Sequence, residues 1–166
     1  MMAGELKAER ARELRRKYQD EGRRLARDCG ADYIAGCMLY WAEGAKARNT
    51  VKVINADPEI LVCFTQFLRR YFEVPNEKMR VYCNLFADHV ARQREIEDYW
   101  LALLDLPRSC LRKTMLNTYS KYSQKKRQNK LPFGTTALVV HSTRIVQTIY
   151  GSIQEYGGFE RPEWLD

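Results

Sequence analysis

The chain of 166 residues lacks several features that would have assigned it quickly. It holds no apolar run near the roughly 18 residues that a membrane helix needs, which excludes a bilayer-spanning helix. Met1 to Lys17 is charged and carries no apolar core, so no secretory signal is expected. No C-x-x-C pair occurs. Five cysteines, Cys29, Cys37, Cys63, Cys83 and Cys110, are scattered and odd in number, which supports neither a zinc ribbon nor a disulfide framework. They read as reduced, mostly buried thiols of a cytoplasmic protein. His89 and His141 are the only histidines, too few for a histidine-rich metal site, and each reads as structural or solvent-exposed. There is no G-x-G-x-x-G and no P-loop, so no nucleotide cofactor is expected.

The most telling absence is local. Residues 108–130 contain no Asp or Glu, yet hold Arg108, Arg112, Lys113, Lys121, Lys125, Lys126, Arg127 and Lys130. This one segment carries a charge of +8 against +7 for the whole chain, so the rest is close to neutral. Such segregation marks a polyanion-binding surface. Tyr119 and Tyr122 lie among the cations with Ser, Asn and Gln, a mixture suited to phosphate contacts and base stacking.

What is present is ample for a core: 45% of residues are apolar, and the length suits one domain with an arm. Residues 5–28 read as a charged helix with a thin apolar stripe. It is stopped at Cys29-Gly30, after which Asp32 is placed to cap the next helix. Tyr33 to Glu43 reads as a helix apolar nearly all round, ended by Gly44, and Trp41 and Trp100 read as core. Thr50 to Ile54 alternates as a strand should. Asp57-Pro58 opens a further helix that presents Ile60, Leu61, Phe64, Phe67, Leu68 and Tyr71. Met79 to Leu85 alternates as well. Residues 89–104 read as a helix, Leu111 to Thr118 and Thr135 to Val140 as strands. Ser142 or Thr143 caps a last helix that Gly157-Gly158 ends. The order implies an α+β fold with helices on one face of a small, mainly antiparallel sheet. The other sheet face would carry Lys52, Arg80, Tyr82, Asn84 and either Arg112 and Thr114 or Lys113 and Asn117.

The stretch from Ile34 to Gly44 sets a carboxylate, Glu43, on the last turn of an apolar helix. A helix C-terminus disfavours an acid by roughly 0.3–1 kcal/mol, so a neighbouring cation, a metal or water must offset it. Lys46 is the nearest cation in sequence. Gly36-Cys37-Met38-Leu39-Tyr40-Trp41-Ala42-Glu43-Gly44 resembles a degenerate LAGLIDADG motif, of the bacterial type that reads A-L-Y-W-A-E-G. Four further stretches fit in order: Val53-Ile54-Asn55-Ala56-Asp57-Pro58, Phe67-Leu68-Arg69-Arg70, Met79-Arg80-Val81-Tyr82 and Leu138-Val139-Val140-His141-Ser142. The pair Tyr99-Trp100 also fits. The resemblance covers residues 31–157. Met38 and Trp41 depart from it, at positions where the family often has a small residue and an aspartate.

The resemblance implies an αββαββα-type core with a saddle-shaped sheet that sits in the DNA major groove, occupying residues 31–158. A charged arm (1–30) would precede it and a tail (159–166) follow. A single motif implies a homodimer, with Ala35, Gly36, Leu39 and Ala42 at the helix–helix interface. Glu43 would ligate Mg²⁺ or another divalent cation, with Lys46 and Lys52 steadying the phosphate or the attacking water. Lys52, Arg80, Tyr82, Asn84, Arg112, Lys113, Lys121, Lys125, Lys126, Arg127 and Lys130 would contact double-stranded DNA. The implied function is a homing-type, site-specific DNA endonuclease, cytoplasmic and nucleoid-associated when bound. Two alternatives share the surface: a DNA-binding transcriptional regulator that does not cut, and an RNA-binding or splicing-assisting protein.

Overall fold

The computed structural model describes residues 3–117 and 131–166. Its elements run α1 (Ala3–Asp28), α2 (Ala31–Glu43), β1 (Val51–Asn55), α3 (Pro58–Phe72), β2 (Met79–Phe86), α4 (Gln93–Leu103), β3 (Met115–Asn117), β4 (Thr135–Val140) and α5 (Thr143–Gly157). The fold is α+β, with five α-helices and a four-stranded mixed sheet among the described residues. No described helix is long and apolar enough to cross a membrane. The chain divides into two compact units. One runs to Lys52 and resumes at His141–Asp166; the other is Val53–Val140.

In the first unit α1 lies along α5. Ser142 caps α5 by accepting a hydrogen bond from the Ile145 amide at 3.2 Å, and Ile145, Val146, Ile149, Tyr150 and Ile153 turn inward. The two helices meet backbone to backbone. A Cβ on Gly22 would stand 1.9 Å from the Thr148 carbonyl oxygen, and one on Gly151 would stand 1.9 Å from that of Gln19. Side-chain amides complete the seam: Gln19 donates to Gln147 at 2.7 Å, and Gln154 donates to Gln19 at 3.0 Å. Buried amides paired in this way fix one register between the helices, because any slip leaves them without partners. The closing residues pack as well. Trp164 is buried and stacks on Tyr150 at 4.4 Å, and its carbonyl accepts from Gln147 at 3.0 Å.

The strand order of the sheet is β1-β4-β2-β3; β2, β3 and β4 lie in the second unit, and β1 begins at the end of the first unit's opening segment. The period-two pattern of β2 holds throughout: Met79, Val81, Cys83 and Leu85 are buried, while Arg80, Tyr82, Asn84 and Phe86 are half-exposed. β2 runs antiparallel to β4, from Met79 opposite Val140 to Asn84 opposite Thr135. It runs parallel to β3, from Asn84 beside Met115 to Phe86 beside Asn117. A parallel neighbour needs a long crossover, and α4 provides it between the two strands. Asp57 caps α3 by accepting from the Glu59 amide at 3.0 Å, with Pro58 in the first turn, and Leu61, Phe64, Phe67 and Leu68 are buried. In α4 the buried set is Ile96, Glu97, Trp100 and Leu101.

Four details differ from the expectation. The segment expected as one strand, 111–118, forms a strand only at 115–117, because a 3-10 turn at Arg108–Cys110 leaves Leu111 with a single bridge to Val81. The helix expected over 89–104 opens as a 3-10 stretch, Ala87–Arg92, and becomes α-helical at Gln93. Gly30, not Asp32, stands at the N-cap of α2. Trp100 is core, but Trp41 is 38% exposed and leans on Phe159 at 5.2 Å.

The α1–α5 seam leaves no room for a methyl group at its crossing. Gly151→Ala should lower the unfolding free energy by about 3 kcal/mol, since the clash is with backbone and cannot relax by a rotamer change. Urea unfolding followed by circular dichroism measures it, and an unchanged midpoint would contradict the packing.

Candidate nucleic-acid interface

Each unit holds part of the expected site. In the first unit the motif helix α2 buries Tyr33, Gly36, Cys37 and Tyr40 against its own unit. Its outward side carries Ala35 and Ala42, both exposed, with Ile34, Met38 and Leu39 half-buried. Three of the four residues expected at a helix–helix interface, Ala35, Leu39 and Ala42, therefore face outward or sideways. The fourth, Gly36, faces the interior. The outward stripe contains no charge before Glu43, apart from Asp32 in the first turn.

Glu43 is exposed at the tip of α2, where its charge keeps its water. Lys46 folds back over that tip. Its ammonium donates to the carbonyls of Trp41 at 2.7 Å, Gly44 at 2.6 Å and Tyr40 at 3.3 Å. The Trp41 carbonyl is one that the helix end leaves without an intrahelical partner, the Tyr40 carbonyl also accepts from the Gly44 amide at 2.8 Å, and a cation there offsets the partial negative charge. Partial burial lowers the Lys46 pKa, while the Glu43 carboxylate acts in the opposite sense. All three ammonium donors are committed, so Lys46 acts here as a cap. Lys52 is half-buried, and its amide donates to the Tyr40 hydroxyl at 3.4 Å. That hydroxyl in turn donates to the Ala45 carbonyl at 2.6 Å, and burial pushes its pKa up to about 12.

Whether these groups suit a divalent ion is a matter of donor count. No group of three or more His, Cys, Asp or Glu side chains gathers among the described residues. Glu43 supplies one carboxylate per chain, and its cationic neighbour is fully engaged. A site at Glu43 would require a second copy to bring a second carboxylate to it.

In the second unit the polar side of β2 continues onto the segment 111–117. The Arg80 guanidinium is fixed by the carbonyls of Glu77 at 2.6 Å and Met79 at 2.9 Å. That of Arg112 is fixed by Ser109 at 2.9 Å and Leu111 at 3.1 Å. Burial raises the pKa of the Cys110 thiol; Arg80 and Arg112 pull it the other way, and Glu77 adds to the rise. The Arg112 amide donates to the Val81 carbonyl at 2.8 Å, which holds this segment to the sheet. Lys113 beside it is exposed. None of these three cations has an ion pair with a described carboxylate. Tyr82 lies across from Ala137, and Asn84 reaches Thr135 Oγ1 at 3.5 Å. The structure thus groups Arg80, Tyr82, Asn84, Arg112 and Lys113 on one unit. Lys121, Lys125, Lys126, Arg127 and Lys130, with Tyr119 and Tyr122, lie outside the described residues.

Arg108 is different from the other cations of its segment. It pairs with the buried Glu97 and, at 2.6 Å, with Asp98. Glu97 also accepts from Thr114 at 2.6 Å and Gln93 at 2.8 Å. Burial alone would raise the pKa of this carboxyl; the bonds from Thr114, Gln93 and Arg108 outweigh it and hold the pKa low. Sequence reasoning missed Glu97. The signal was its place among inward residues, one after Ile96 and three before Trp100. The histidines are structural or exposed. His89 is buried, with Nδ1 accepting from the Phe86 amide at 3.1 Å, and His141 is exposed beside Thr50. The cysteines form no disulfide among the described residues, and burial pushes Cys37 up to about 12, far from a reactive thiolate.

The capping reading of Lys46 has a direct consequence. Lys46→Met keeps the aliphatic stem and removes the donors, and it should cost about 1 kcal/mol of stability in thermal unfolding. A stability equal to the parent's would assign the ammonium no capping role. Compared with known proteins, the chain matches no family model, no curated protein and no solved structure.

Proposed function

We propose that this protein binds duplex DNA as a LAGLIDADG-like homodimer. The observation that carries the reading is that Arg80, Arg112 and the exposed Lys113 lie on one unit and form no ion pair with a described carboxylate. Backbone carbonyls hold the Arg80 and Arg112 guanidinium groups without cancelling their charge. A polyanion supplies the missing counter-charge. The chain then continues into residues 118–130, whose five further cations extend the same charge in sequence. Arg and Lys would take the phosphates. Tyr82 and Asn84, half-exposed between them, offer a stacking ring and an amide to base edges.

The dimer reading is supported by the outward stripe of α2, where Ala35 and Ala42 are small enough to let a second helix approach. Pairing of two such helices would bring two Glu43 carboxylates to one place. They repel each other unless a divalent cation lies between them, and such an ion would activate water and stabilise the leaving oxygen of a phosphodiester. In this arrangement Glu43 binds, Lys46 shapes the helix end, and Lys52 offers a cation a few residues on. The cutting reading depends wholly on that second copy; the binding reading does not. A transcriptional regulator that reads DNA without cutting it is therefore the simpler form of the same proposal.

Two experiments separate these levels. The triple variant Arg80→Gln, Arg112→Gln, Lys113→Gln should bind a 20-base-pair duplex about 10- to 100-fold more weakly. Its slope of log K against log salt should be shallower by about 0.9 per lost phosphate contact. An unaltered slope would remove these residues from the interface. Incubating a plasmid library with the protein and Mg²⁺ tests cleavage. Cutting that Glu43→Gln abolishes while duplex affinity is kept supports the endonuclease; binding without cutting at any divalent metal leaves the regulator.

A further inference from the structure

We infer that Glu97 is the positioning residue of the cationic edge: its buried carboxylate fixes residues 108–117 to α4 and so sets where Arg112 and Lys113 stand. The inference rests on the nucleic-acid reading for its purpose, though not for its geometry. Glu97 is only 5% exposed, and three side chains converge on it from two parts of the chain. Gln93 reaches it from one turn earlier in α4, while Arg108 and Thr114 reach it from either end of the 108–114 stretch. Between those two anchors lie Arg112 and Lys113. That stretch has almost no regular structure of its own to hold it: a 3-10 turn, one bridge at Leu111, and then three residues of an edge strand. A buried carboxylate that lost any of these donors would be left partly unsatisfied in a low-dielectric setting, so the cluster is held as a unit.

α4 grips the other flank too. Trp100 Nε1 donates to the Phe133 carbonyl at 2.9 Å, Tyr99 stacks on the Phe133 ring at 4.0 Å, and the guanidinium of Arg92, the residue before α4, lies 5.7 Å from that ring. The described chain on both sides of 118–130 is therefore fastened to one helix. Cations held in place before a polyanion arrives lose less conformational entropy on binding than cations on a free loop.

The sign of one substitution separates positioning from charge. Glu97→Gln adds one unit of positive net charge, and electrostatics alone would tighten binding to DNA. Positioning predicts the reverse: about tenfold weaker binding to a 20-base-pair duplex by the full chain, with faster amide hydrogen exchange in 108–117. Thr114→Val removes a donor without altering charge. It should weaken binding several-fold and loosen the same amides, and it keeps the test open if Glu97→Gln does not fold. Variants that fold, bind as tightly as the parent or more tightly, and exchange at the parent's rate would overturn the inference. If the parent chain binds no duplex, the nucleic-acid reading fails, and the exchange rates alone decide whether Glu97 fixes the segment.

Discussion

A carboxylate buried on α4 organises the second unit. Glu97 sits where the helix pattern calls for an apolar residue, one place from Ile96 and three from Trp100, and the chain answers with three donors. Those donors come from both ends of a stretch that would otherwise have little to hold it. That attachment anchors the stretch that carries Arg112 and Lys113 and leads into the edge strand β3, which runs parallel to β2. Because the folded-state pKa is held low, the cluster's stabilisation is complete near neutral pH. It is lost as acid titrates the carboxyl through its lowered value.

The first unit solves a different problem with different means. Its helix seam is stabilised by two glycines and three glutamines, with backbone against backbone at Gly22 and Gly151. The charged helix α1 is thereby made part of a packed unit: Arg15, Gln19 and Gly22 are buried, and Arg23 and Arg27 pair with Glu155. α2 packs on the same α5 and leaves one apolar side outward. The anomaly noticed in the sequence, an acid on the last turn of an apolar helix, has a local answer in Lys46. Its ammonium donates to the Tyr40, Trp41 and Gly44 carbonyls and so offsets the negative end of the helix beside Glu43.

Much of this was legible beforehand, for identifiable reasons. Period-two burial in β2, the Asp57-Pro58 start of α3 and the Ser142 cap of α5 are local rules acting on local sequence, and each appears as expected. The α+β class follows from the order of elements. What was not legible depends on distant partners. The parallel β2–β3 pair requires knowing that α4 crosses over. Trp41 looked like core because its helix is apolar all round; only the packing of α2 on α5 shows which side turns outward. Arg108 counted as one more cation of the basic segment, yet it is neutralised by Glu97 and Asp98. Composition alone cannot tell a paired cation from an available one.

We propose that Arg80, Arg112 and Lys113 of the second unit meet the phosphates of DNA. The salt dependence of duplex binding by the intact chain tests it most directly. Log K should fall linearly with log salt, with a slope of about −3 or steeper, if at least Arg80, Arg112 and Lys113 displace condensed counterions. An affinity indifferent to salt, or no binding to duplex at low ionic strength, would contradict it.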